Sequence, residues 1–204
     1  MSRFIDFIRH GNAIGPVDRE RTLSKLGVRQ TLAFGLARRQ AGEYYGAIIT
    51  SGISRAVETG SHIIAAIGTD CQSRIILKEM FDPAIQDRHS KEREAAYAKL
   101  GAQSLARYHE ECLDAMDDLS FKTTPRLQVL IYDHCREDNT LVVGHGVYTN
   151  QIILNTFDFH LTDVMKSRLL GNPPLTECAG YRLVFDDESE LVDMLNLPSI
   201  ILDC

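Results

Sequence analysis

Three times in this chain a short apolar run breaks off at a polar, glycine-bearing turn and gives way to a helical pattern. Phe4 to Ile8 runs into Arg9-His10-Gly11, Ala47 to Thr50 into Ser51-Gly52, and Leu141 to Gly144 into His145-Gly146. The helical stretches that follow are Leu26 to Ala41, about Ile53 to Ile67, and Val147 to Phe157. In the first of them Leu26, Leu32, Ala33, Leu36 and Ala37 recur at helical spacing behind the N-cap candidates Thr22 and Ser24, and Gly42 supplies a stop. Strands that alternate with helices are joined by crossovers, so they lie parallel and are covered on both faces; this explains why the runs are continuously apolar.

The remaining segments extend that frame. Arg74 to Leu77 reads as a further strand, leading into a loop over Lys78 to Arg88 that holds Pro83. From Ser90 to Leu119 helix-forming Ala, Glu, Lys and Leu dominate, and a second helical stretch is expected over Pro125 to Cys135 behind Thr123 or Thr124 as cap. Tyr181 to Phe185 and Leu191 to Leu195, separated by the acidic turn Asp186 to Ser189, predict a hairpin. The fold class is therefore α/β: a three-layer α/β/α sandwich with a mostly parallel central sheet, a C-terminal antiparallel hairpin and a helical insertion at about 90–135. With no linker or repeat in view, 1–204 forms a single domain.

Charge narrows the partners. Lys and Arg number 22 against 28 Asp and Glu, a net charge of -6, and no basic run exceeds two residues. That balance argues against a nucleic-acid or anionic-membrane surface and leaves room for a local cationic pocket. Apolar runs such as Ile63 to Ile67 fall far short of the ~20 residues a spanning helix needs. Cys71, Cys112, Cys135, Cys178 and Cys204 are an odd, scattered set without a CxxC pair, as expected of reduced thiols. A cytoplasmic location is the expectation in the absence of any address signal, and oligomeric state is left open.

In an open α/β sheet, ligands bind beyond the carboxyl ends of the strands. Those ends carry Arg9 and His10 after the first strand, Arg55 in Thr50-Ser51-Gly52-Ile53-Ser54-Arg55 after the second, and His145 after the Leu141 strand. Two arginines and two histidines gathered in one crevice suit a small, highly charged anion, because guanidinium forks match phosphate oxygens and helix N-termini add N–H donors.

On these residues the chain resembles the histidine phosphatase superfamily, also called phosphoglycerate mutase-like. The match rests on Phe7-Ile8-Arg9-His10-Gly11, on Thr50 to Thr59 (TSGISRAVET), and on Val142-Val143-Gly144-His145-Gly146, in that order and at strand ends. The resemblance implies that His10 is the nucleophile, that Arg9, Arg55 and His145 bind the phosphoryl oxygens, and that no metal or other cofactor takes part. Asn12 and Gly146 are further phosphate-binding candidates. Glu79, in Leu77-Lys78-Glu79-Met80-Phe81, resembles the family's general acid, with Asp82 and Asp87 as alternatives; Gly146 excludes the variant that places the acid directly after the second histidine. His62, His89, His109, His134 and His160 are read as structural. The reading favours a metal-independent phosphatase that passes through a phosphohistidine and acts on a phosphorylated small molecule or phosphoprotein. A phosphoglycerate-type mutase and a non-catalytic phospho-ligand binder are the alternatives.

Overall fold

The computed structural model describes residues 3–68, 74–77, 87–134, 139–172 and 175–200, with backbone alone at 74–77 and 134. Its main sheet has six strands. In chain order these are β1 (Arg3–Arg9), β4 (Ala47–Thr50), β5 (Arg74–Leu77), β6 (Thr140–Gly144), β7 (Gly180–Phe185) and β8 (Leu191–Leu197); β2 (Ala13–Ile14) and β3 (Thr22–Leu23) form a separate two-stranded ribbon. The spatial order is β5-β4-β6-β1-β7-β8. β1, β4, β5 and β6 run parallel, and β7 and β8 form the antiparallel hairpin expected from the sequence.

Period-two alternation sends each inner strand's side chains to two different cores. Ile5 and Phe7 of β1, Ile49 of β4 and Val142 of β6 pack with Leu127, Ile152, Ile153 and Phe157 on one face. Ile8, Ile48, Leu141 and Val143 pack with Phe34, Ala56 and Ile63 on the other. The second face is covered by α1 (Lys25–Gln40) and α2 (Ser54–Ile67), the first by the C-terminal half of α4 (Leu105–His134), by α5 (Gly146–Thr156) and by α6 (Asp163–Gly171). This is the three-layer α/β/α arrangement. Ser24 caps α1, its hydroxyl accepting from the Gly27 N–H at 3.0 Å.

The insertion departs from the sequence reading. Its first break lies at residues 101–104, after α3 (Ser90–Leu100), where Gly101 takes φ +54 and donates its N–H to Tyr97 O at 2.8 Å. Helix α4 then continues through the Thr123-Thr124-Pro125 stretch that was expected to cap a new helix. Thr123 is buried and its hydroxyl donates back to Leu119 O (2.9 Å) and Ser120 O (3.2 Å), the behaviour of a residue inside a helix. Pro125 removes one N–H, which leaves the Phe121 carbonyl without its helical partner on a side where Phe121 is 82% exposed and water can replace it. The helix bends instead at Cys112 (φ -152, ψ 49). Ala96 of α3 and Leu105, Tyr108, Ala115 and Met116 of α4 form a third core with Val147 and Tyr148 of α5, which sets the insertion over the carboxyl ends of the strands.

In the middle of β1, Asp6 is fully buried beneath Arg182, its register partner on β7. The guanidinium grips it through Nε (2.8 Å) and Nη2 (2.9 Å) and also reaches Glu43; Tyr45 Oη donates to Asp6 Oδ2 at 2.6 Å. Burial pushes the Asp6 carboxyl up from its usual range, and the bonds from Arg182 and Tyr45 oppose it. Removing the cation alone strands a buried acid. Arg182→Met is expected to cost about 3–5 kcal/mol in urea unfolding, and Asp6→Leu added to it to restore much of that loss; equal stability of Arg182→Met and wild type would show the pair to be dispensable.

Candidate active site

Register places His10 and His145 side by side. Arg9 of β1 lies opposite Gly144 of β6, and the His10 N–H continues the ladder by donating to Gly144 O at 3.1 Å. His10 and His145 are thus the next residues on adjacent parallel strands, and their rings stand 5.1 Å apart between centroids. Beyond that point the chain leaves β1 toward α1 on one face and β6 toward α5 on the other, which opens a crevice. Arg55 enters from the first turn of α2, after β4. Arg9, His10, Arg55 and His145 all line one cavity of about 640 Å³, along with Asn12 and Gly146.

The ring of His10 has an unambiguous tautomer. Its Nδ1 lies 2.7 Å from the Gly11 carbonyl oxygen, which can only accept, so Nδ1 carries the proton. Its Nε2 lies 3.0 Å from Arg55 Nε, which can only donate, so Nε2 holds the lone pair. Burial, assisted by Arg55, Arg9 and Arg21 against the opposing Gly11 bond, pulls the His10 pKa down to about 3. His145 is held well below the usual histidine range by burial, by His10 and by the arginines. Its Nε2 is 2.7 Å from Ser51 Oγ, while its buried Nδ1 and the buried Nε of Arg9 have no partner among the described residues. Two such nitrogens at a cationic pocket, without partners among the described residues, are what a bound oxyanion would satisfy.

The cations are restrained by carboxylates. Arg55 donates through Nη1 to the Asp18 carbonyl and through Nη2 to Asp18 Oδ2 (3.1 Å), so with Nε on His10 each of its three nitrogens makes one bond. Arg9 donates through Nη1 to Leu175 O at 2.9 Å, and its Nη2 lies 3.6 Å from Glu177. Asp18 sits on a 3₁₀ turn (Asp18–Glu20) between β2 and β3, a flap whose residues 14–20 are exposed. The flap is moored at its base: Leu23 N–H donates to Glu58 Oε2 (2.7 Å), Ser24 N–H to Asn12 O (2.9 Å), and Gly27 brings α1 so close that a Cβ there would lie 2.0 Å from Asn12 O. Beside His10, Thr59 donates to Arg55 O (2.7 Å) and accepts from the Gly11 N–H (3.0 Å), tying α2 to the turn after β1.

Other sequence candidates fare differently. Asn12 lines the cavity, but its Oδ1 is taken by Ser24 Oγ at 2.6 Å and its N–H by Gln30 Oε1 at 2.9 Å, a turn-bracing role. Gly146 begins α5 at φ +41, a left-handed position that favours glycine. Glu79 and Asp82 lie outside the described residues. Asp87 is removed as a general acid: it does not line the cavity, and it binds Arg93 (3.0 Å) and Lys122 (3.0 Å). Burial alone would raise its pKa, but those two cations and the His89 N–H hold it below the usual carboxylate range. His89, His109 and His160 bond to Glu92, Gln151 and Glu190 away from the cavity. Sequence reasoning missed Asp18 and Glu177, which no pattern announces. Thr59 was within reach, since an i, i+4 spacing places it one turn below Arg55.

The profile of the histidine phosphatase superfamily (branch 1) matches residues 5–197. The chain belongs to this superfamily. Among solved structures it is similar to the mycobacterial glucosyl-3-phosphoglycerate phosphatase (15% identity, 98% of this chain and 100% of that one, TM-score 0.64). It also resembles the phosphoglycerate mutase of Bacillus anthracis str. Sterne (14%, 95% and 92%, TM-score 0.60) and the protein histidine phosphatase SixA complexed with tungstate (12%, 95% and 96%, TM-score 0.57). These likenesses concern the fold. Comparison with curated protein sequences found no match.

Two buried, uncharged histidines make the site acid-sensitive. Between about pH 6.5 and about 3 an unfolded His10 binds a proton that the folded one refuses, so stability falls as pH drops through that window, by about 1.4 kcal/mol per pH unit for each such group. In urea melts across pH 4–7, His10→Gln should show a slope of stability against pH shallower than wild type by that amount. Identical slopes would show that His10 is not held neutral by burial.

Proposed function

We propose that the chain is a metal-independent phosphatase that hydrolyses a phosphate ester or phosphoamidate through a phosphohistidine at His10. The observation that carries this reading is the state of His10: neutral, with Nδ1–H fixed on the Gly11 carbonyl and the Nε2 lone pair turned to the guanidinium of Arg55, in a cavity shared with Arg9 and His145. An incoming phosphoryl group competes with the Asp18 carboxylate and carbonyl for Arg55. Once Arg55 has shifted to the phosphoryl oxygens, Nε2 is free to attack phosphorus while the bond to the leaving oxygen or nitrogen breaks. The positive charge that develops on the ring is shared with the Gly11 carbonyl through Nδ1–H. Arg9, Arg55 and His145 Nδ1 stabilise the equatorial oxygens, the electrostatic work that dominates phosphoryl transfer. Water then attacks the phosphohistidine, releasing phosphate and restoring the Nε2 lone pair.

The substrate is a phosphorylated small molecule or phosphoprotein. A cytoplasmic setting is consistent with Cys112 and Cys178 being free, buried thiols. No helix among the described residues is long and apolar enough to cross a membrane.

The decisive experiment is rapid quenching of turnover with a labelled phosphate ester. Protein-bound phosphate should accumulate, be lost at low pH as a phosphoramidate is, and be absent in His10→Ala; activity should survive EDTA, and inorganic phosphate rather than an isomerised 3-phosphoglycerate should be the product. Full activity in His10→Ala would overturn the assignment.

Glu79 is proposed as the proton donor to the leaving group, the role its resemblance to the family's acid implies. An alkoxide requires that proton in the transition state, whereas p-nitrophenolate leaves without it. Glu79→Gln should therefore slow alkyl phosphate hydrolysis by about 10²-fold and p-nitrophenyl phosphate hydrolysis much less. Equal slowing of both would assign Glu79 to positioning, and a loss confined to Asp82→Asn would transfer the role to Asp82.

A further inference from the structure

The cavity has two walls of opposite character. Its cations among the described residues, Arg9, Arg21 and Arg55, all stand on the side of the strand ends and the flap. The facing wall comes from α3 and the turn after it, with Glu94, Tyr97, Ala98, Gly101 and Ala102. Glu94, Tyr97 and Ala98 fall at i, i+3 and i+4 and so share one face of α3; Arg93 and Ala96, on the opposite face, are buried. The cation next to Glu94 is thus turned away. Arg93 is held in the interior on Asp87 at 3.0 Å and near the Ala115 carbonyl.

Glu94 and the Tyr97 hydroxyl, by contrast, make no hydrogen bond or ion pair to another described residue, although Tyr97 is 54% exposed and both border the same space as His10. Across the cavity Asp18 and Glu177 add two more carboxylates, paired with Arg55 and Arg9. A phosphoryl group held by Arg9 and Arg55 therefore shares the cavity with a wall that offers an acceptor and an aromatic ring; among the described residues that wall carries no basic side chain, and Arg21, the third cation of the cavity, stands on the flap side 3.4 Å from Asp18.

We propose that Glu94 is a specificity-determining residue: it accepts a hydrogen bond from a hydroxyl or ammonium group on the leaving portion of the substrate, and it disfavours substrates that carry a carboxylate or second phosphate there. Tyr97 packs against the same portion, since a ring beside a carboxylate serves either the CH face of a polyol or an ammonium ion. The proposal rests on the phosphate-binding reading above. Its force comes from like-charge exclusion, which discriminates between partners more strongly than it raises affinity for the right one.

The test compares wild type, Glu94→Gln and Glu94→Lys on three small esters of matched size: glycerol 3-phosphate, O-phosphoethanolamine and 3-phosphoglycerate. Wild type should favour the first two over the third by about tenfold or more in kcat/KM; Glu94→Gln should shrink that ratio, and Glu94→Lys should reverse it. Preference for glycerol 3-phosphate identifies a hydroxyl as the donor, and preference for O-phosphoethanolamine an ammonium. Calorimetric binding of the same esters to His10→Ala, with and without Glu94→Lys, reads the charge preference where no turnover is possible. Hydrolysis with ratios unmoved in both Glu94 variants would overturn this proposal alone. Absence of hydrolysis together with a Glu94-dependent binding preference would overturn the phosphatase reading and leave this one standing.

Discussion

Everything at the site depends on the pairing of β1 between β6 and β7. β1 is hydrogen-bonded on both edges, parallel to β6 and antiparallel to β7, so its carboxyl end has no freedom to drift. Because the β6 register sets Arg9 against Gly144, the residues just beyond the ladder are His10 and His145, and two imidazoles become neighbours without any direct bond between them. A slip of one residue would turn Ile5, Phe7 and Val142 from one core into the other and separate the two rings. Hydrophobic alternation thereby fixes the positions of the polar groups. The chemistry at the strand ends is placed by packing several residues below it.

The electrostatics of the cavity follow from that placement. Two rings buried beside arginines refuse protons, and for His10 the Gly11 carbonyl on one side and Arg55 on the other select a single tautomer. Arginines gathered without counter-charges would repel one another and loosen the turn. Asp18 and Glu177 meet that problem by pairing with Arg55 and Arg9. The arrangement keeps the guanidiniums ordered while leaving two buried nitrogens, Arg9 Nε and His145 Nδ1, without described partners. Asp18 is carried on an exposed 3₁₀ turn, whereas the base of the flap is tied to α1 and α2.

The insertion completes the site from above, and it joins the fold through the same helix that follows His145. Val147 and Tyr148 of α5 belong to the core that α3 and α4 build, so the wall bearing Glu94 and Tyr97 is packed against the helix that begins just after His145. A roof anchored in this way holds a defined distance from the strand ends.

The repeated strand, turn and helix pattern was sufficient to establish the parallel sheet, and the three motifs at its strand ends named Arg9, His10, Arg55 and His145, because those properties are local: period, turn chemistry and residue type are written in adjacent positions. The hairpin of β7 and β8 was legible for the same reason, from alternation about an acidic turn. Continuity of α4 through Pro125 was not, since propensity marks Thr-Thr-Pro as a boundary and only packing of Thr123 into the interior reverses that preference. Nor could adjacent sequence show that Asp18 occupies Arg55, that Asp87 is bound to Arg93 and Lys122 and so is unfit as an acid, or that Glu94 lines the same cavity as His10. Those are pairings across 37, 6 and 35, and 84 positions of the chain, and they exist only once the sheet has set which loops meet. The sequence by itself determined which groups could handle a phosphoryl anion; tertiary structure decided their protonation, their counter-charges and the wall they face, because burial and distance are properties of the packed chain and not of its order.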